Sequence, residues 1–481
     1  MSIKKNYGFN LLNSLLNIVF PIVTFPYAAR ILSPEGIGEA QFIFSFAQYF
    51  AILAAFGIPI YGVKAIAEVK HNKELLSKVT TELLVILSML VAVVLGVYSL
   101  VIINIPDLNA NWPAHAIAGS IIFLTVFNVD WFFSGTEQFK ILALRSAFVK
   151  GLSLIILFTF VKTQQDTLEY LFFLVFLYIG NYFLNFLFLF RSIKIFSFAK
   201  IEVSRHFKPL LPIFAMIVAT TIYTTLDTVM LGFLNDEKEV GFYTSAVKLA
   251  KVSIPVLTSM GVVMIPRATK YAQEKNMAGQ LSLYGKSFSF LVLLAIPMSF
   301  GIFLLNKEAI LIFSGPLFLK AVSDVRILAF LPLLIGLGHL ISFQILIPHN
   351  KNRSIFYSTL IGMFVFLILS IMLIPSMGST GAAIANTATE LIVTIGYCIF
   401  VPSHILKALP WKAIYKALVS VVLFIPIVFS LQELLKGNPI LIFSLSIITC
   451  GTSYFLIQHL LFKEELIKEI MITMKKKIYG S

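Results

Sequence analysis

Polar residues in this chain gather in short clusters, and long apolar stretches run unbroken between them. About fourteen of these stretches reach membrane-spanning length, at residues 9–32, 40–63, 79–104, 112–134, 146–162, 168–190, 208–232, 241–266, 286–306, 326–348, 354–375, 380–401, 412–431 and 440–461. The apolar positions are continuous and do not alternate, which excludes a β-barrel. Hydrocarbon offers the backbone no hydrogen-bond partner, so each stretch is expected to be a helix. The first run is too long for a signal peptide and lacks a small-residue cleavage site, so it predicts a retained helix.

Composition agrees. Of 481 residues, 58% are hydrophobic and 12% charged, with a mean hydropathy of +0.92. The connections leave no room for a soluble domain of ordinary size. A net charge of +14 would suit nucleic acid, but its distribution argues otherwise and no nucleic-acid partner is expected. About 27 basic residues sit in alternate loops, among them Lys64, Lys70, Lys73 and Lys78, then Arg191, Lys194, Lys200, Arg205 and Lys208. The opposite loops hold about six: Lys162, Lys238, Lys307, Lys320, Arg326 and Lys436. The positive-inside rule places the rich side, with both termini, in the cytoplasm. Cys398 and Cys450 both fall in predicted spans and imply neither a disulfide framework nor a metal site.

The chain also reads as duplicated. Gly38 and Gly241 are 203 residues apart, as are Lys64 and Arg267 at the ends of spans 2 and 8. The basic loop 191–208 is the best boundary. The expected architecture is an all-α polytopic membrane protein of about 14 transmembrane helices. An N-lobe (1–200, spans 1–6) and a C-lobe (201–405, spans 7–12) form two parallel-repeat six-helix lobes. An extra C-terminal helix pair (spans 13–14) and a basic cytoplasmic tail fill 406–481. Two such lobes naturally enclose a central cavity that opens to either side.

Polar faces recur at the same offset. Span 1 carries Asn10, Asn13, Asn17 and Thr24 on one helical face, and span 7 carries Thr220, Tyr223, Thr224 and Asp227. Gln41, Ser45 and Gln48 of span 2 match Thr244, Lys248 and Lys251 of span 8. These faces either line one aqueous cavity or hydrogen-bond between helices, where losing one bond costs only about 1 kcal/mol.

Charged residues inside spans are more informative, because each costs about 2.5–3.5 kcal/mol at a helix centre even on the lenient insertion scale. Lys248 and Lys251 are candidate contacts for an anionic substrate; the alternative is a structural ion pair between Asp227 and Lys248. Glu390, in the small-residue segment 381–390, and His339 are candidate proton-exchange sites, with packing and hydrogen-bonding roles as the alternative. Arg30, near the outer end of span 1, is a substrate contact or a snorkelling anchor. Asp130, near the inner end of span 4, has a structural, gating or substrate role and a nearby base such as Lys140 or Arg145 as partner. The aromatics after it, Trp131, Phe132 and Phe133, suit a membrane-interface belt.

Several strings then point one way. The segment from Phe25 to Gly38 (FPYAARILSPEGIG) resembles the first-loop signature of bacterial polysaccharide flippases of the Wzx type. Asp130 to Glu137 (DWFFSGTE) is similar to their D-W-F-F-x-G-x-E string, and Asp227 to Gly232 with Val240 to Tyr243 to their seventh-span motif. Ile265-Pro266-Arg267 and the segment from Gly381 to Glu390 fit as well. The resemblance covers about residues 1–405, with Ser33 where Gly is usual and Ser134 where Gln is common. It implies the multidrug/oligosaccharidyl-lipid/polysaccharide exporter superfamily and alternating access. It implies a substrate of undecaprenyl-pyrophosphate-linked sugar repeat units, moved from the cytoplasmic to the outer leaflet of the bacterial inner membrane. The surface polymer served is O-antigen, capsule or exopolysaccharide. Lys248, Lys251 and Arg30 would then meet the pyrophosphate, and Asn17, Gln41 and Gln48 the glycan. Asp227, Glu390, His339 and Asp130 would serve ion coupling or gating. By analogy with peptidoglycan-precursor flippases, spans 13 and 14 would form a groove for the polyprenyl tail. The partners implied are the lipid-linked oligosaccharide, the bilayer, a polysaccharide polymerase and a chain-length regulator, with no cofactor.

Three competing readings are weighed, of which a scaffold for a polysaccharide assembly complex is disfavoured by buried charge facing a cavity. A multidrug antiporter of the same superfamily would favour acids for cationic drugs, whereas here buried bases match or outnumber acids. A glycan polymerase or ligase would need a catalytic constellation, and none stands out; the longest outer connection, about 307–325, has no His. The chain is expected not to be an enzyme.

Overall fold

Prolines, glycines and short polar caps punctuate the apolar runs and set where each helix starts and stops. The computed structural model describes residues 3–193, 201–435, 437–464 and 468. The chain divides into two compact units, Met1–Gly241 and Phe242–Ser481. Among the described residues the structure is helical, without strands.

The first unit runs through α1 (Ile3–Ile31), α2 (Pro34–Ala55), α3 (Ile58–Val69), α4 (Lys73–Asn104), α5 (Pro106–Ala110), α6 (Trp112–Leu124), α7 (Asp130–Gly135), α8 (Phe139–Phe160), α9 (Thr167–Ser192) and α10 (Ser204–Leu234). Helix α11 (Glu237–Lys251) carries the boundary. The second unit continues through α12 (Ile254–Gln273), α13 (Met277–Leu304), α14 (Asn306–Phe313), α15 (Ala321–Leu328), α16 (Leu331–His339), α17 (Asn352–Met377), α18 (Ser379–Phe400), α19 (Ser403–Ala408), α20 (Lys412–Val421), α21 (Phe424–Leu434) and α22 (Pro439–Leu456). Two π-helical segments, Leu340–Leu346 and Ile457–Leu461, extend α16 and α22.

Local chemistry explains the ends. Ser33 caps α2, its side chain accepting from the Gly36 amide, and Pro34 opens the helix. Asn72, Asn276 and Asn438 cap α4, α13 and α22 in the same way. Between α2 and α3 the chain turns through Phe56 and Gly57, both left-handed. Gly57 is suited to that turn because it also packs against the backbone of Phe214.

Among the described residues twelve helical stretches are long and apolar enough to cross a membrane, or thirteen if the bent pair Ser204–Ile222 and Thr225–Leu234 is one span. The expected number is about fourteen. The difference lies in span 1, whose described apolar stretch, Leu16–Ile31, falls short of full spanning length. Lipid-facing sides are visible as exposed apolar stripes at helical spacing. Met89, Val93, Val97 and Leu100 form one on α4; Ile361, Phe364, Ile368 and Ile371 form another on α17. The protein is multi-pass.

Inside the first unit, α2 packs on α4, α6 and α9, α1 on α8, and α3 on α7. The aromatics of the D-W-F-F string are buried here and not in an interface belt: Trp131, Phe132 and Phe133 are at most 1% exposed. The cause is steric. A Cβ on Gly62 would fall 2.8 Å from the Trp131 ring, so this glycine opens the slot the indole fills, and Gly135 lets α7 close onto Ile66. In the second unit, α17 and α18 form the most extensive helix pair, and α13 is the hub for α12, α16 and α20. Predicted spans 13 and 14 correspond to α20–α21 and to α22 with its π segment, and pack within this unit against α13 and α14.

Candidate functional site

The candidate residues fall into both units. Within the second unit, Lys248 and Lys251 stand one turn apart near the end of α11, both half-buried. Lys251 lies close enough to Glu390 of α18 for their charges to interact, which brings this half-buried acid and one of the two cations together. His339 closes α16 where the helix widens into its π segment, stacks on Phe343 with ring centroids 4.7 Å apart, and abuts Gly261, where a Cβ would lie 2.6 Å from its Cε1. The small residues of α18 do what their size predicts: Gly381 meets the Leu373 carbonyl and Ala382, Ala383 and Ala385 are fully buried.

Within the first unit, Asp130 lies 2.9 Å from Arg145 Nη1 and accepts from Asn185 Nδ2 at 2.8 Å. Arg145 also donates from Nε to Asn181 at 3.0 Å and its side chain is 4% exposed. Asn17 is exposed and accepts from Lys150 Nζ. Gln48 donates to the Tyr178 hydroxyl at 2.7 Å, whereas Gln41 turns back to Ser45 of its own helix at 3.1 Å. Arg30, in the last turn of α1, donates to the Pro26 carbonyl at 3.0 Å and is exposed, where a cation also suits the helix dipole. Asp227 is buried on α10 and accepts from the Thr228 amide. The side chains of Asn10, Asn13, Tyr223 and Thr224, and the basic residues Lys194, Lys200, Lys436 and Lys475 to Lys477, lie outside the described residues.

Two charged groups within spans escaped the sequence reading. Lys150 sits midway along α8, bonded to Asn17, with the Phe20 ring 5.9 Å away. Glu82, fully buried on α4, accepts from His206 Nε2 and the Glu202 amide, each at 2.9 Å, and from Arg205. The criterion that found Lys248 and Glu390, a charge inside an apolar run, applies equally to both. Between helices, Lys70 donates to Glu137 at 2.6 Å, and this bond holds the exposed Glu137 carboxyl below its ordinary pKa. Among the described residues no cluster of His, Cys, Asp and Glu could hold a metal ion.

A family model described as polysaccharide biosynthesis protein matches residues 3–272, more than half of the chain. The chain belongs to this family. The putative O-antigen transporter of Shigella dysenteriae is 23% identical over 396 residues, covering 82% of this chain and 98% of that protein. The putative O-antigen transporter of Escherichia coli (strain K12) is 24% identical over 430 residues, covering 84% and 98%. Among solved structures, the lipid II flippase MurJ in an inward closed conformation matches with a TM-score of 0.76 at 16% identity, over 97% of this chain and 100% of that one. The fold is that of this flippase. The resemblance to Wzx-type flippases therefore holds at the level of family and fold.

Proposed function

We propose that the protein is a flippase for lipid-linked oligosaccharides. In this reading it carries undecaprenyl-pyrophosphate-linked repeat units from the cytoplasmic to the outer leaflet of the bacterial inner membrane by alternating access, with both termini in the cytoplasm. Membership of the polysaccharide biosynthesis family carries the reading, supported by relatives named as O-antigen transporters. The lobes are residues 1–200 and 201–405, and 406–481 supply the extra helix pair with its groove for the lipid tail. The polymer served is O-antigen or capsule, and a polymerase and chain-length regulator act downstream.

Chemistry assigns the roles. Lys248 and Lys251 meet the pyrophosphate, with Arg30 as a further cation on its route. Protonation of Glu390 removes the negative charge that engages Lys251 and frees this cation for phosphate, which would couple proton movement to cargo. His339 is the second proton site, and Asp227 and Asp130 serve gating. Asn17, Gln41 and Gln48 supply hydrogen bonds to the glycan.

A deletion strain tests the reading. It should accumulate lipid-linked sugar units on the cytoplasmic leaflet and be rescued by the wild-type gene but not by Lys251→Gln made at normal protein levels. Rescue by Lys251→Gln removes this lysine from the mechanism, and a deletion without accumulation removes the cargo. Substrate movement that is indifferent to a collapsed pH gradient in sealed vesicles would eliminate proton coupling.

A further inference from the structure

A cavity of about 330 Å³ lies within the first unit, and none of the residues assigned above lines it. It is formed where the starts of α2, α6 and α9 converge, beside the connections 105–111 and 161–166. The charge asymmetry puts those connections on the outer side, so the inference rests on the topology and cargo proposed above. Its polar wall consists of Glu39, Asn111, Gln165 and Thr167; Ile43 and Leu171 represent the apolar wall.

The wall is held in place before any ligand arrives. Asn111 donates to Glu39, tying the α5–α6 turn to α2. Asp166 accepts from the amides of Lys162 and Thr163, both at 2.7 Å, which fixes the turn that presents Gln165. A Cβ on Gly36 would lie 2.8 Å from Thr167 Oγ1, so glycine there lets the start of α9 settle against α2. Such preorganisation lowers the entropy lost on binding.

The chemistry narrows the ligand. Two amides, a hydroxyl and a carboxylate offer donors and acceptors in the mixture that sugar hydroxyls need. The apolar wall suits the C–H face of a sugar ring. Among the described lining residues none is basic, and Glu237 feels the charges of Glu39, Asp236 and Glu35 close by. A phosphate is therefore disfavoured. The volume is at the small end of the range for small-molecule sites, about 300–1,000 Å³, and suits one or two sugar rings.

We infer that this pocket binds a neutral sugar residue of the transported glycan at the outer face, with Glu39, Asn111, Gln165 and Thr167 as its hydrogen-bonding groups. The pocket retains the glycan after passage and contributes to the choice of cargo.

Saturation-transfer NMR on the full-length protein in phosphatidylethanolamine–phosphatidylglycerol nanodiscs tests this. The probes are glucose, galactose, mannose and N-acetylglucosamine, with inorganic pyrophosphate as competitor. At least one sugar should receive saturation, pyrophosphate should not displace it, and Glu39→Gln combined with Gln165→Ala should weaken it about tenfold, as expected for loss of a charge-assisted hydrogen bond. The single variant Gln165→Ala, at an exposed side chain, serves if the double variant unfolds early, and should also weaken binding. The inference is overturned if no sugar is bound, if pyrophosphate displaces it, or if the variants bind as the wild type does. Rescue of the deletion strain reads transport separately. A wild-type protein that rescues but binds no sugar sinks the pocket alone. One that binds sugar yet fails to rescue sinks the transport reading alone.

Discussion

Gly38 and Gly241 are packed so closely that a Cβ on Gly38 would lie 1.6 Å from the Glu237 carbonyl oxygen and 2.8 Å from the Gly241 nitrogen. The contact is reciprocal, since a Cβ on Gly241 would lie 2.0 Å from the Pro34 carbonyl oxygen. Pro34 and Glu237 are 203 residues apart, the separation of the two glycines themselves. Glu35 and Lys238, again 203 apart, form an ion pair at 2.9 Å. The obstructing atoms are backbone and cannot swing aside, so Gly38→Ala should destabilise the protein by about 1–3 kcal/mol as an overpacked contact. Gly96→Ala, in a helix with open space around it, should cost nothing and gain up to about 1 kcal/mol of helix propensity. Thermal unfolding of the two purified variants checks the contrast; equal midpoints would mean the close contact is absent.

The Asp130–Arg145 pair is unequal, and its variants should be unequal too. Arg145 is buried, whereas the Asp130 side chain is 51% exposed. Asp130→Asn strands a buried guanidinium that keeps Asn181 as a partner; Arg145→Met leaves an acid already half in water. Stranding a fully buried charge costs about 3–5 kcal/mol, and screening at Asp130 lowers the expectation to about 1–3 kcal/mol for Asp130→Asn, with less for Arg145→Met. The double variant should recover part of the loss through a coupling of about 0.5–3 kcal/mol. Strictly additive losses in thermal unfolding would show that the two residues do not act as a pair.

The helices were legible because lipid imposes one solution on each apolar run, and the predicted spans 168–190 and 380–401 match α9 and α18 within two residues at each end. Hydropathy predicts span 8 as continuous over 241–266, yet the helix is interrupted after Lys251 and restarts at Ile254 with Pro255 in its first turn. What one-dimensional patterning could not supply is partner choice. Asn17 finds Lys150, and Glu82 finds His206, across more than a hundred residues. The burial of Trp131 likewise depends on a gap left by Gly62, which no local pattern announces. The pocket lined by Glu39 and Asn111 is invisible in the sequence for the same reason: its four polar residues come from three separate helix starts, and none stands out in its own segment.

Lys150 offers a test of function against packing. Among the described residues no carboxylate pairs with it, although it lies midway along a span. A cation there, held by one amide and an aromatic face, is poised for an anion, and a structural role alone would be served by a neutral donor. Lys150→Gln keeps a hydrogen-bond donor and removes the charge. We expect surface-polysaccharide export to fall at least about tenfold, equivalent to 1.4 kcal/mol, with the thermal midpoint unchanged. Normal export in this variant would make Lys150 a structural residue.

Glu82 should behave in the opposite way, as a stability residue whose loss is read before any transport assay. Its carboxylate is fully buried and gathers Arg205, His206 and the Glu202 amide at the start of α10, while Tyr61 of α3 meets His206 Nδ1 at 2.8 Å. One acid therefore ties α4 to the segment that opens α10. Glu82→Ala leaves the buried imidazole and the amide without their acceptor and the guanidinium without its counter-charge, a loss of about 3–5 kcal/mol on the scale of broken buried pairs. Tyr61→Phe removes only a neutral hydrogen bond at the edge of the cluster and should cost about 0.5–1.5 kcal/mol. Glu82→Gln retains one acceptor oxygen and should fall between them. Membrane protein levels and thermal midpoints should follow the order Tyr61→Phe, Glu82→Gln, Glu82→Ala, and a Glu82→Ala protein as stable as Tyr61→Phe would show that the cluster does not hold α10 in place.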